Sequence, residues 1–181
     1  MRRFHFLFAV LTMFSAPSLV ASTFYVGTCK TGAFGTIQAA VSSPSVSAGS
    51  IIDVCPGTYP EQVVISKQLT LHGIVSNNSS QAVITVPSAG LLTTTSISFG
   101  GTVAAQVEVT AAGVNISGIA VDGTASSSNC PSISVPYIGI FYSSGSSGTI
   151  NGVETLNQKC SGFGLGIVVE NGAGIAQSCW N

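Results

Sequence analysis

Side chains able to move protons, attack a carbon centre or hold a metal are scarce in this chain. Beyond residue 22 there are two aspartates, Asp53 and Asp122, four glutamates, one histidine, His72, and no arginine. Two carboxylates on one face could hydrolyse a glycosidic bond. Asp53 and Asp122 sit on short strand-like runs about three strand layers apart, on the order of 14 Å at ~4.8 Å per layer, too far for either hydrolytic geometry. His72 with an acid and a serine could form a nucleophilic triad. No Gly-x-Ser-x-Gly elbow exists to expose a serine, and His72 alternates outward beside Gly73, where a histidine is ordinarily just solvated. Glu61, after Tyr59-Pro60, reads as a partner for backbone amides. Gly162-Phe163-Gly164-Leu165-Gly166 lacks the strand–helix setting of a nucleotide-binding loop and marks tight turns. No CxxC pair is present, so neither a metal site nor a cofactor is expected, and no catalytic residue is assigned. What remains is a surface: Tyr137, Phe141 and Tyr142 stand among Ser-, Thr- and Asn-rich runs, and aromatic faces beside hydroxyls suit sugar rings. Polysaccharide is therefore the partner class such a surface would take, although Tyr and Phe in β-runs are more often packing residues than ligand contacts.

These residues ride on a chain of 181 residues, 45% hydrophobic and 6% charged, with 21 glycines and a formal net charge of −1. It is too apolar for disorder and long enough for one domain with a core. No basic stripe is available to neutralise phosphates, which argues against nucleic acid. Met1-Arg2-Arg3, the apolar Phe6–Phe14 run and the small residues Ser15–Ser22 read as a secretory signal over 1–22, too short to span a bilayer as an anchor. The mature chain is expected to be secreted, periplasmic or at the cell surface. All five cysteines, Cys29, Cys55, Cys130, Cys160 and Cys179, lie beyond the signal, where bridging is favoured. Cys29 with Cys55 and Cys130 with Cys160 are the expected pairs, leaving one over.

The elements that must position these groups are strands. Ile51–Val54, Val63–Ser66 and Leu69–His72 each alternate apolar residues with others, which sets one common inner face. They follow one another too closely for hairpins or helical crossovers, so the chain turns corners and forms an all-β coil. Val107-Glu108-Val109 echoes Val63-Val64-Ile65 at an offset of 44 residues (107 − 63), read as two coils of about 22 residues each, at the low end for stacked repeats. Ile150-Asn151-Gly152 echoes Ile116-Ser117-Gly118, with Ala125–Pro136 as an insertion. After Thr36, a helix cap, the residues Ile37, Ala40 and Val41 form one apolar helical face suited to plugging the end of such a stack. Asn115, Asn151 and Asn171 recur near turns, where they stack or simply tolerate the turn. The stretch ending in Cys179-Trp180-Asn181 reads as a C-terminally incomplete domain over 23–181.

Gly35-Thr36-Ile37-Gln38-Ala39-Ala40-Val41, Ile51–Val54, Pro56-Gly57-Thr58-Tyr59-Pro60-Glu61 and Leu69-Thr70-Leu71-His72-Gly73 together resemble the opening coils of the pectin lyase-like superfamily. The likeness is to the start of pectin methylesterases and of exported bacterial β-helix repeat proteins. It covers Thr23 to Val86 well and the rest by periodicity. The resemblance implies a right-handed parallel β-helix with a short N-terminal capping helix. Its enzymes use arginines and clustered aspartates that are missing here. The expected function is a non-catalytic exported module that contacts polysaccharide or associates with a surface. The rivals are a pectin-active esterase or lyase whose catalytic coils lie beyond residue 181, and a structural spacer.

Overall fold

Alternating apolar residues and closely spaced corners produce a mostly β structure of parallel sheets. The computed structural model describes residues 21–75, 81–124, 135–159, 164–170 and 174–178. In chain order the elements are β1 (Thr23–Val26), α1 (Ile37–Ser42), β2 (Ser50–Val54), β3 (Gly57–Pro60), β4 (Val63–Ile65), β5 (Leu69–Gly73), β6 (Ala82–Thr85), β7 (Thr93–Ser96) and β8 (Gly101–Val109). They continue with β9 (Val114–Ser117), β10 (Ile119–Asp122), β11 (Tyr137–Tyr142), β12 (Ser147–Asn151), β13 (Glu154–Leu156), β14 (Gly164–Val169) and β15 (Gly174–Ser178). The first sheet runs β1-β2-β5-β9-β12-β15, the second β3-β6-β10-β13, and the third β4-β8-β11-β14. From β2 onward the chain visits first, second and third sheet in turn, returns, and lays each new strand parallel to the one before.

The side chains facing the space between the sheets form one apolar core. It holds Ile52 and Val54, Val63 and Ile65, Leu69 and Leu71, Ile84, Val107 and Val109, Ile116, Val121, Ile140 and Ile150. The inward residues expected of Ile51–Val54, Val63–Ser66 and Leu69–His72 are buried in this core, whereas Val86, expected to face in beside Ile84, lies past the end of β6 and packs outside it against Leu91, Ala104 and Tyr137. The echoes in the sequence are registers: Val63 pairs with Val107, Leu71 with Ile116 and Ile116 with Ile150. The interval between the first pair of echoes is not two coils. Because β4 lies directly against β8 and β5 against β9, the interval of 44 residues is a single passage through the three sheets, lengthened by an extra strand, β7. That strand pairs antiparallel with β8 through Thr93–Ala104 to Ser96–Gly101.

Helix α1 closes one end. Thr36 caps it, its hydroxyl accepting from the Ala39 N–H at 3.1 Å, and Ile37, Ala40 and Val41 are buried as expected. Glu61 does what its position suggested: its two carboxylate oxygens accept from the N–H groups of Ile37 at 2.8 Å and Gln38 at 2.7 Å, satisfying helix-end donors that have no partner within the helix. Gln38 returns the link by accepting from Val64 N–H at 2.6 Å. At the helix's other end the Lys67 ammonium donates to the Ser43 and Val46 carbonyls. The expected Cys29–Cys55 disulfide is present and ties the segment after β1 to the end of β2. Cys130, Cys160 and Cys179 lie outside the described residues, as do Asn171 and Trp180.

Leu71 and Ile116 are buried neighbours in adjacent layers, whereas Thr70 faces outward. Leu71→Ala or Ile116→Ala should lower stability by about 2–5 kcal/mol, and Thr70→Ala should stay within about 0.5 kcal/mol. Denaturant midpoints at unchanged slope would measure the difference.

Candidate functional site

Parallel register lines up the outward residues of the first sheet into two straight rows. One row is Thr23, Ile51, Thr70, Asn115 and Thr149; the other is Tyr25, Asp53, His72, Ser117 and Asn151. Neighbours within a row are one strand spacing apart, about 4.8 Å. The result is a flat face dominated by hydroxyl, amide and imidazole groups.

Cross-strand bonds order it. His72 Nδ1 lies 2.9 Å from Asp53 Oδ1, with the His72 side chain 48% exposed and that of Asp53 20%. Thr149 donates its hydroxyl to Asn115 Oδ1 at 2.8 Å. At the β1 end the Lys30 ammonium sits 5.5 Å from the centroid of the Tyr25 ring, within cation–π range. Asp53 and His72 are hydrogen-bonded to each other, and most other members of the two rows carry hydroxyl or amide groups, so the face is chiefly a hydrogen-bonding surface. A triad would need the second imidazole nitrogen on a serine hydroxyl; Ser117 is the register neighbour of His72, yet no hydrogen bond joins the two.

The other acids are scattered. Asp122 belongs to the second sheet, two layers above Asp53 rather than the three expected, and on a different face, so the two carboxylates do not form a pair. Its Oδ1 accepts from the Thr124 hydroxyl, the Thr124 N–H and the Asn157 amide. Partial burial works against the charge, and these bonds outweigh it, holding the carboxyl below its usual range. Among the described residues no group of three His, Cys, Asp or Glu side chains could hold a metal ion.

The three aromatic candidates for sugar contact lie inside the sheet. Tyr137, Phe141 and Tyr142 are all fully buried on β11. Tyr142 points into the main core and donates its hydroxyl to the Val114 carbonyl at 2.9 Å. Phe141 packs with Val103, Ala105 and Ile138, and Tyr137 with Leu91 and Ala104. Burial drives both phenols well above their ordinary pKa. None offers a ring face to solvent, so packing inside the sheet, the alternative reading, describes them and stacking on a sugar does not.

The reason lies in the β7–β8 hairpin, which folds over the outer side of the third sheet. Thr94 donates to Glu108 at 2.8 Å, Val103 packs on Phe141, and Gln62 clamps the base by exchanging bonds with Leu92 N–H and carbonyl and donating to the Ala105 carbonyl. Glu170 fastens the tip. Its carboxylate is buried and accepts from the Ser96 hydroxyl and from the N–H groups of Ser98 at 3.1 Å and Ser144 at 3.0 Å. Burial opposes the charge, but these bonds and one from Ile97 N–H prevail and hold the carboxyl below the usual range. Sequence reasoning missed both the hairpin and the Asp53–His72 contact. Aligning Asp53 with His72 as matching positions of Ile52-Asp53-Val54 and Leu71-His72-Gly73 would have found the latter.

The chain matches no known family's sequence profile and no solved structure. Over 82 residues it is 38% identical to a cell surface glycoprotein of Methanothermus fervidus, a match covering 44% of this chain and 13% of that protein. The chain thus spans only a small part of that relative's length.

Glu170 has a lowered folded pKa, so its contribution is complete above the ordinary carboxylate range and is lost as pH falls through the lowered value. Removing the charge should therefore destabilise most at neutral pH. Glu170→Gln is expected to cost about 2–3 kcal/mol near pH 7, the gap to the unmodified chain narrowing on acidification. Denaturant midpoints from pH 7 to pH ~3 test this; a gap that widens on acidification would contradict it.

Proposed function

We propose that this chain is an exported, surface-associated, non-catalytic module, wound as a right-handed parallel β-helix of the pectin lyase-like kind. The winding is supported by the order in which the strands return: first, second and third sheet, each time in parallel and in register. The handedness rests on the resemblance. Non-catalysis is supported by the dispersal of the acids. Asp53 is tied to His72, Asp122 to Thr124 and Asn157, Glu61 to α1, and Glu108 and Glu170 to the hairpin. Each of these carboxylates is occupied by a structural partner, and no two converge on a cleft.

The observation that carries the surface role is the flat polar face of the first sheet. A wide hydroxyl- and amide-bearing face suits hydrated, uncharged material better than a small substrate, which needs a concave site. The matched relative's description as a cell surface glycoprotein points the same way, and so does the signal-like segment 1–22. With Tyr137, Phe141 and Tyr142 buried, any contact with polysaccharide falls to the two polar rows, with Tyr25 as the stacking ring at one end.

Fractionating the native host should place the mature chain in the surface or extracellular fraction. The purified protein should be depleted by insoluble polysaccharide without releasing methanol or reducing ends, and Tyr25→Ala should weaken retention severalfold. Recovery in the cytoplasm would refute the surface role, and release of either product would refute the absence of catalysis.

A further inference from the structure

Within its polar rows, the first sheet's outer face also carries a modification signal. Asn115-Ile116-Ser117 is an Asn-x-Ser sequence with a residue other than proline in the middle, the acceptor pattern for N-linked sugar in exported proteins. Such a pattern is uninformative until the fold says where its residues point. Here Ile116 is buried in the core while Asn115 and Ser117 occupy the two outward rows. The sugar-bearing position and the hydroxyl two residues on therefore share the solvent face, and only the middle residue is committed to packing. A bulky group on Asn115 would leave the core untouched.

The neighbourhood is permissive. Asn115 is flanked across the strands by Thr70 and Thr149, both small and polar. The Thr149 hydroxyl holds Oδ1 toward β12, which turns the amide nitrogen, the atom that would take the sugar, away from that strand. Along its own strand the next outward residues are Gly113 and Ser117, both small, with the exposed, flexible Gln68 side chain lying over Gly113. Tyr25 lies three strands away on β1, leaving the stacking end of the face clear.

We propose that Asn115 is an N-glycosylation site of the exported chain, so that this face bears a covalent glycan; the inference rests on the exported, surface-associated reading given above. The co-reactant is a sugar carried on a lipid diphosphate. The Asn115 amide nitrogen forms a bond to the anomeric carbon and loses a proton. The bond from that carbon to the diphosphate oxygen breaks, its electron pair leaving with the diphosphate.

The cleavage sites of the chain make the test clean. Glu108 and Glu154 bracket a Glu-specific peptide, residues 109–154, that contains Asn115, whereas Asn77-Asn78-Ser79-Ser80, which carries two further acceptor patterns, falls in the separate peptide 62–108. Protein secreted by the native host, reduced and digested in this way, should give peptide 109–154 with an added mass of whole sugar residues. The addition should vanish completely in Asn115→Gln and in Ser117→Ala, and persist in Ser117→Thr. Ser117→Ala keeps Asn115 and its Thr149 partner, so loss of sugar there is not a folding effect. Peptide 109–154 at its unmodified mass, with or without sugar on 62–108, would overturn the proposal. Surface location with an unmodified 109–154 would sink this inference alone, whereas a cytoplasmic chain would sink the surface reading itself.

Discussion

Parallel, in-register strand pairing is the constraint on which everything else in this molecule depends. Each inner strand of the first sheet, β2, β5, β9 and β12, bonds to a strand on either side, so the backbone is satisfied only if successive passages return to the same alignment. Given that alignment, period-two alternation sends Leu71, Ile116 and Ile150 inward on top of one another and Asp53, His72 and Ser117 outward in a line. The apolar stack supplies the stability and the polar line supplies the surface. One slip by a single residue would exchange the two sets.

The same constraint dictates how the ends and edges are managed. A first layer has no strand beneath it, and α1 covers part of that edge with Ile37, Ala40 and Val41. Its own exposed donors are met by Glu61, a residue from the layer it covers, which locks the helix to the stack. Close approach between layers also restricts side chains at the corners. A Cβ on Gly73 would lie 2.1 Å from the Gly118 carbonyl oxygen, so that corner admits no larger residue without displacing backbone.

Much of this was legible from residue types, because the apolar alternation is strong and local. The echoes Val63/Val107 and Ile116/Ile150 even read out the register, since stacked positions of one core face demand similar side chains. The count of passages between the first pair was not legible. Thr93–Ser96 and Gly101-Thr102 carry no apolar alternation, as the β7 arm docks through hydroxyls on Glu108 and Glu170 and the hairpin's apolar contact with Phe141 comes only from Val103 and Ala105 on β8. That hidden strap is also why Phe141 reads as an exposed ring and is a buried one: its cover comes from residues more than thirty positions earlier. The Asp53–His72 pair was hidden for a related reason, because it is local only in the stack and not along the chain.

The parallel alignment of β5 with β9 sets both the core and the polar rows. Cysteine cross-linking tests it directly: Thr70→Cys with Asn115→Cys places two thiols at directly paired outward positions of neighbouring strands, a separation suited to a disulfide. Under mild oxidation this variant should form the bridge in high yield, located by peptide mass, while Thr70→Cys with Ile116→Cys, whose second thiol faces the core, should not. Bridging in the second variant and not in the first would mean the register is shifted by one residue, and the account of the core and of the outer face would both fall.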